Sequence, residues 1–121
     1  TDNLMELIRS GRDPDQTLTT RFDVLYGLVD LMEDAGQGLG QVGVPTLFQY
    51  GAHDDLVPDR AVHQALERAG PMPNLRTAFY QDGYHILNRD LQAVRVFEDV
   101  EAWLRDPRTA LPSGAGPIRV P

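Results

Sequence analysis

The chain has 121 residues, a formal net charge of −7 and a pI near 4.7, with 41% hydrophobic and 24% charged residues. That is the composition of a globular protein, enough for one domain or part of a larger one, and its acidity argues against a nucleic-acid-binding face or a polybasic membrane patch. Cysteine is absent, which excludes a disulfide framework, a thiol nucleophile and Cys-based zinc sites.

The N-terminus carries no signal-peptide pattern, and no apolar run approaches the ~20 residues of a membrane span; the expected location is cytoplasmic. The chain begins at Thr1 and not at Met, as expected of a trimmed, processed or incompletely represented polypeptide. Leu4, Leu7 and Ile8 have the spacing of a short amphipathic helix, which Gly11 to Asp15 ends at a proline. Thr19 or Thr20 is a suitable N-cap for a second helix over Arg21–Ala35. Phe22, Leu25, Val29 and Met32 form its stripe, widened by Val24, Leu28 and Leu31, a face broad enough to need a sizeable partner. The glycine-rich Gly36–Gly43 stretch reads as a flexible connection and not a phosphate loop, because it lacks both Gly-x-Gly-x-x-Gly and a Gly-Lys-Ser/Thr ending.

Val44–Tyr50 reads as a buried strand that breaks at Gly51, with Asp54 and Asp55 directly after it. Asp59 can cap a helix over Arg60–Ala69, with Val62, Ala65, Leu66 and Ala69 buried. Leu75–Tyr80 is a second strand, Gln81–Gly83 a turn, and Asp90 a cap for a last helix over Leu91–Leu104, whose apolar stripe is Ala93, Phe97, Val100 and Leu104 flanked by Val96 and Trp103. The tail from Arg108 has no periodicity and reads as a wrapping or disordered terminus. Strand, helix, strand, helix in this order is the pattern of a parallel α/β sheet with right-handed crossovers. Parallel sheets are normally covered on both faces and need several strands. Two strands therefore imply the end of a larger α/β domain, or pairing with another chain.

Asp54 and His85 each follow a predicted strand and stand 31 residues apart, room for one helix and one strand. Adjacent strands lie about 4.8 Å apart, and the edge where strands end is where open α/β sheets put their ligand chemistry. A carboxylate beside an imidazole fixes its tautomer and stabilises the imidazolium formed in reaction, while the imidazole shuttles the proton. A surface aspartate in a turn and a histidine satisfied in a loop would give the same pattern, which leaves both readings open. An O/N metal set of His53, Asp54, Asp55 and His85 lacks a fixed ligand spacing. His63 falls opposite its helix's apolar stripe, and Tyr50, Tyr80 and Tyr84 read as packing residues, with Tyr84 beside His85.

Gly51-Ala52-His53-Asp54 and Gly83-Tyr84-His85 resemble the acid loop and the histidine segment of the α/β-hydrolase superfamily. Within it the chain is most similar to monoacylglycerol lipase and lysophospholipase-like serine hydrolases. Asn88-Arg89-Asp90, the Val100–Leu104 helix end and the Phe22–Ala35 helix fit as well, so the likeness covers about Arg21–Leu104. The resemblance implies the C-terminal part of an α/β-hydrolase fold, its last two parallel strands with flanking helices. Residues 1–20 would be the end of a cap region, 21–105 core and 106–121 an irregular tail. It makes Asp54, ahead of Asp55, the acid and His85 the base of a Ser-His-Asp triad, with no cofactor and an acyl-ester or lipid-like substrate. The Gly-x-Ser-x-Gly nucleophile elbow is missing: the two serines are Ser10 and Ser113, and Ser113 lies in the tail without a strand-to-helix turn. The nucleophile is expected in an N-terminal part of the same protein, and this chain alone is expected to be inactive. The alternative is a non-catalytic α/β binding or interaction module.

Overall fold

The computed structural model describes residues 1–17 and 19–120; Leu18 of the expected cap segment and Pro121 of the expected tail lie outside it. Four helices and two strands follow in the order α1 (Leu4–Gly11), α2 (Phe22–Gly38), β1 (Thr46–His53), α3 (Asp59–Ala69), β2 (Leu75–Tyr84) and α4 (Ala93–Arg105). Single 3₁₀ turns occupy Leu39–Gln41 and Leu87–Arg89. β1 and β2 pair in parallel, starting from Thr46 opposite Leu75. This is a mixed α/β arrangement consistent with part of an α/β-hydrolase fold.

Side chains alternate across the two strands, and each sheet face receives one helix. Ala78 and Tyr80 pack with Val96 of α4 and Leu111 of the tail, joined by Leu47, Leu87 and Trp103. Tyr50 packs with Val62 of α3 and Ile118 of the tail, joined by Phe48, Leu66 and Phe79. The tail therefore wraps. Gly116 bridges to Phe79 on the outer edge of β2, and the Ile118 N–H donates to Thr77 Oγ1 at 3.0 Å.

Four sequence expectations are corrected. The glycine-rich connection is mostly helical: α2 runs through Gly36 to Gly38 and on into a 3₁₀ turn. Glycine costs a helix up to about 1 kcal/mol relative to alanine. Packing on α3 offsets that cost, with Gly36 against Ala65, Gly40 against Ala69 and Arg68 paired to Glu33 at 2.8 Å. Both strands run past their expected ends, because β1 continues through Gly51 to His53 and β2 takes in Gln81–Gly83. The helix caps also differ. Arg21, Pro58 and Gln92 hold the N-cap positions of α2, α3 and α4 without side-chain cap bonds. The buried stripe of α4 is Val96 and Asp99 with half-buried Val100 and Trp103, while Phe97 and Leu104 face out.

The broad apolar face of α2 carries no buried residue, and Phe22 is 90% exposed. The start of the chain is anchored beyond β2. Thr1 Oγ1 donates to the Arg89 carbonyl at 3.1 Å, and the Leu91 N–H donates to Asp2 Oδ1 at 2.8 Å.

Candidate active site

The C-terminal ends of β1 and β2 place Asp54 and His85 side by side. His85 Nδ1 lies 3.0 Å from Asp54 Oδ2 and 3.1 Å from Oδ1. The register explains how. Through Gly51 the strands pair with Gly51 opposite Tyr80, but His53 then lies opposite Tyr84. β2 thus holds two extra residues, and the bulge brings His85 level with Asp54. Without it Asp54 would face Gly83, and His85 would stand two residues further along, about 6.6 Å at a rise of ~3.3 Å per residue.

Two glycines permit that bulge. A Cβ on Gly51 would lie 2.5 Å from the Gly83 carbonyl carbon and oxygen and 2.7 Å from the Tyr84 oxygen. A Cβ on Gly83 would meet the Leu87 side chain and lie 2.9 Å from Tyr80 Cβ. The backbones approach too closely here for any side chain.

The Asp54 side chain is 8% exposed and that of His85 39%. Asp54 Oδ1 accepts the Leu56 and Val57 N–H groups, both at 2.9 Å. Tyr50 closes the same loop by donating its hydroxyl to the Val57 carbonyl at 2.7 Å. Burial pushes the Asp54 carboxyl up, but the Val57 N–H, His85 and the Leu56 N–H outweigh it and hold the group below the ordinary carboxylate range. An ionised carboxylate only accepts. Nδ1 of His85 therefore carries the hydrogen in the neutral ring, and Nε2 is left free to take a proton.

The other candidates are not drawn into this pair. Asp55 is exposed. His53 is also exposed and its ring lies against Tyr84, with centroids 5.1 Å apart, so Tyr84 packs on His53. Among the described residues no group of three or more His, Cys, Asp or Glu is placed to hold a metal ion. His63 is half-buried, not exposed, and lines a groove with Tyr50, Asp59 and Arg119. Ser10 donates to Gln16 at 2.9 Å, and Ser113 donates its hydroxyl to Asp99.

One buried acid, Asp99, is missed by the sequence reading, and another, Asp90, has a role other than the one expected. Asp99 is fully buried and accepts from the Tyr80 hydroxyl at 2.8 Å, the Ser113 N–H at 2.8 Å and the Ser113 hydroxyl. Burial, then Asp99, pushes the Tyr80 phenol far above its ordinary range. Asp99 stands three residues after Val96 and four before Trp103, the positions of a core stripe; its charge hid it. Asp90 does not cap α4, and its carboxylate instead accepts the Tyr84 N–H at 2.8 Å.

The parallel strand pair with its flanking helices is consistent with part of an α/β-hydrolase fold. A family model described as serine aminopeptidase, S33, matches residues 1–92, and the chain belongs to this family of the α/β-hydrolase superfamily. No curated protein and no solved structure matches the chain. No helix among the described residues is long and apolar enough to cross a membrane.

Proposed function

We propose that Asp54 and His85 are the acid and base of a Ser-His-Asp triad. The serine would come from a further part of the same protein, outside these 121 residues. The observation that supports this best is the 3.0 Å contact between His85 Nδ1 and Asp54 Oδ2 at the ends of adjacent parallel strands. In this reading Asp54 holds the Nδ1–H tautomer, and Nε2 of His85 takes the proton of the serine hydroxyl as its oxygen attacks the acyl carbon. The imidazolium, steadied by Asp54, returns that proton to the leaving group. A water molecule then repeats the cycle, with His85 again as base, and releases the acid. No cofactor enters these steps.

The substrate class in this reading is a carboxylic ester, lipid-like in the manner of a monoacylglycerol or lysophospholipid. Amide hydrolysis from a peptide N-terminus is the second reading, favoured by the aminopeptidase description of the matching family. A non-catalytic binding module is a further alternative, to which the bare apolar face of α2 lends support.

The test treats preparations containing this sequence with a serine-reactive phosphonate and reads intact masses. The expected result is a label on a polypeptide longer than 121 residues, lost on His85→Ala. Absence of label from every species that contains the sequence refutes the serine mechanism. Acyl nitrophenyl esters against amino-acid nitroanilides then separate ester from amide specificity.

A further inference from the structure

We propose that Asp90 is a positioning residue for His85, a role that rests on reading His85 as the base. His85 does not sit in the sheet. It follows Tyr84, the last residue of β2, in the loop that runs to Asp90, and the two ends of this stretch are joined by one bond: Asp90 Oδ2 accepts the Tyr84 N–H at 2.8 Å. Within the loop the Arg89 N–H reaches the Ile86 carbonyl at 2.9 Å, and Leu87 anchors in the core beside Ala78 and Tyr80. The N–H held by Asp90 belongs to the residue immediately before His85.

The cost of this arrangement separates it from an ordinary turn. Asp90 is 4% exposed, and its Oδ1 is buried with no hydrogen-bond partner among the described residues. A buried carboxylate with a single neutral donor is unfavourable. An aspartate serving the following helix would turn its side chain to the first N–H groups of α4. Here the Ala93 N–H is taken by the Asp90 main-chain carbonyl at 3.0 Å, and the side chain points back to Tyr84. The residues on either side are gripped from the chain start, Arg89 by Thr1 and Leu91 by Asp2, so Asp90 is itself held in place. A 3.0 Å contact to Asp54 tolerates little movement of the imidazole. The loop must therefore be fixed at Tyr84 as well as at Leu87.

The test is the neutral-form tautomer of His85, read by long-range ¹H–¹⁵N correlation on the labelled chain, together with hydrogen exchange at the Tyr84 amide. Wild type is expected to show mainly Nδ1–H, and Asp54→Asn mainly Nε2–H. Asp90→Ala is expected to convert His85 to mainly Nε2–H and to speed Tyr84 exchange about ten- to a hundredfold, the loss of one charge-assisted bond. Other amides should hold their protection. Asp90→Asn keeps an acceptor and is expected to restore the Nδ1–H form. Mainly Nε2–H in wild type overturns the Asp54–His85 pair and this proposal with it. Persistence of Nδ1–H in Asp90→Ala with the Tyr84 amide deprotected overturns the positioning role alone. So does Nε2–H in Asp90→Asn while Tyr84 stays protected. Loss of protection throughout Asp90→Ala overturns it too, because Asp90 then supports the whole fold.

Discussion

Replacing Gly51 by alanine tests the link between the bulge and the Asp–His pair. The new methyl carbon would stand 2.5 Å from two Gly83 backbone atoms and 2.7 Å from the Tyr84 oxygen. Carbon contacts are comfortable at about 3.5–4.0 Å, so the strands must separate locally by about 1 Å. The obstructing atoms are backbone and cannot rotate away. Overpacking costs about 1–3 kcal/mol, and alanine recovers about 0.4–1 kcal/mol by restricting the unfolded chain. The net expectation is a loss of about 2 kcal/mol, since immovable backbone puts the clash at the upper end of that range. With a urea slope of about 1–2 kcal/mol/M, the unfolding midpoint by circular dichroism should fall by about 1–2 M. Relief by opening the bulge would carry His85 away from Asp54 and shift its tautomer to Nε2–H. Gly43→Ala is the control, because its Cβ would meet nothing within 4 Å. A Gly51→Ala midpoint equal to that of Gly43→Ala, with the Nδ1–H tautomer unchanged, would refute the account of the bulge.

Asp99→Ala strands the Tyr80 hydroxyl and both Ser113 donors, and should cost about 3 kcal/mol. It should also speed tryptic cleavage after Arg108 as the tail loosens; unchanged cleavage means that Asp99 does not hold the tail. Because the folded Asp54 carboxyl sits below its ordinary value of 3.8, its contribution is present in full above that value and is lost as pH falls through the folded value. The acid limb of stability in Asp54→Asn should accordingly be shallower below about pH 4 than in wild type, as urea midpoints across pH will reveal. Tyr80 titrates with the opposite sign. Its phenol is raised above the ordinary value of 10, so its contribution is complete below pH 10 and lost above it. Tyr80→Phe should flatten the alkaline limb, and an equally steep limb would exclude Tyr80 as its source.

Legibility differed element by element. The helix over Asp59–Ala69 is readable because its apolar spacing and a stop at glycine agree with the packing of Val62 and Leu66, and the helix over Leu4–Gly11 from its spacing alone, since Leu4, Leu7 and Ile8 stay exposed. The end of α2 was not, since tertiary contact with α3 outweighs the poor helix propensity of Gly36 and Gly38. The strand ends differ from the expected ones for a related reason. Gly51 and Gly83 look like chain breaks in sequence, yet they are the places where two strands come closest. The stripe of α4 departs from the expected one because a periodicity reading leaves charged residues out of the core, whereas Asp99 is admitted by three hydrogen-bond donors.

Local periodicity and motifs within a few residues are enough to set the alternation of strand and helix, the parallel pairing it demands and the residues around which the site is read, Asp54 and His85. Tertiary structure alone decided whether those two side chains meet. Their separation along the strands turns on a two-residue bulge, which exists because Gly51 and Gly83 leave room for the backbones to close on each other. It also decided that Asp90 turns back to Tyr84 and that Asp99 lies in the core. The partners of a buried carboxylate are set by which segments converge on it, and here those segments are 6 and 14–19 residues away in the chain.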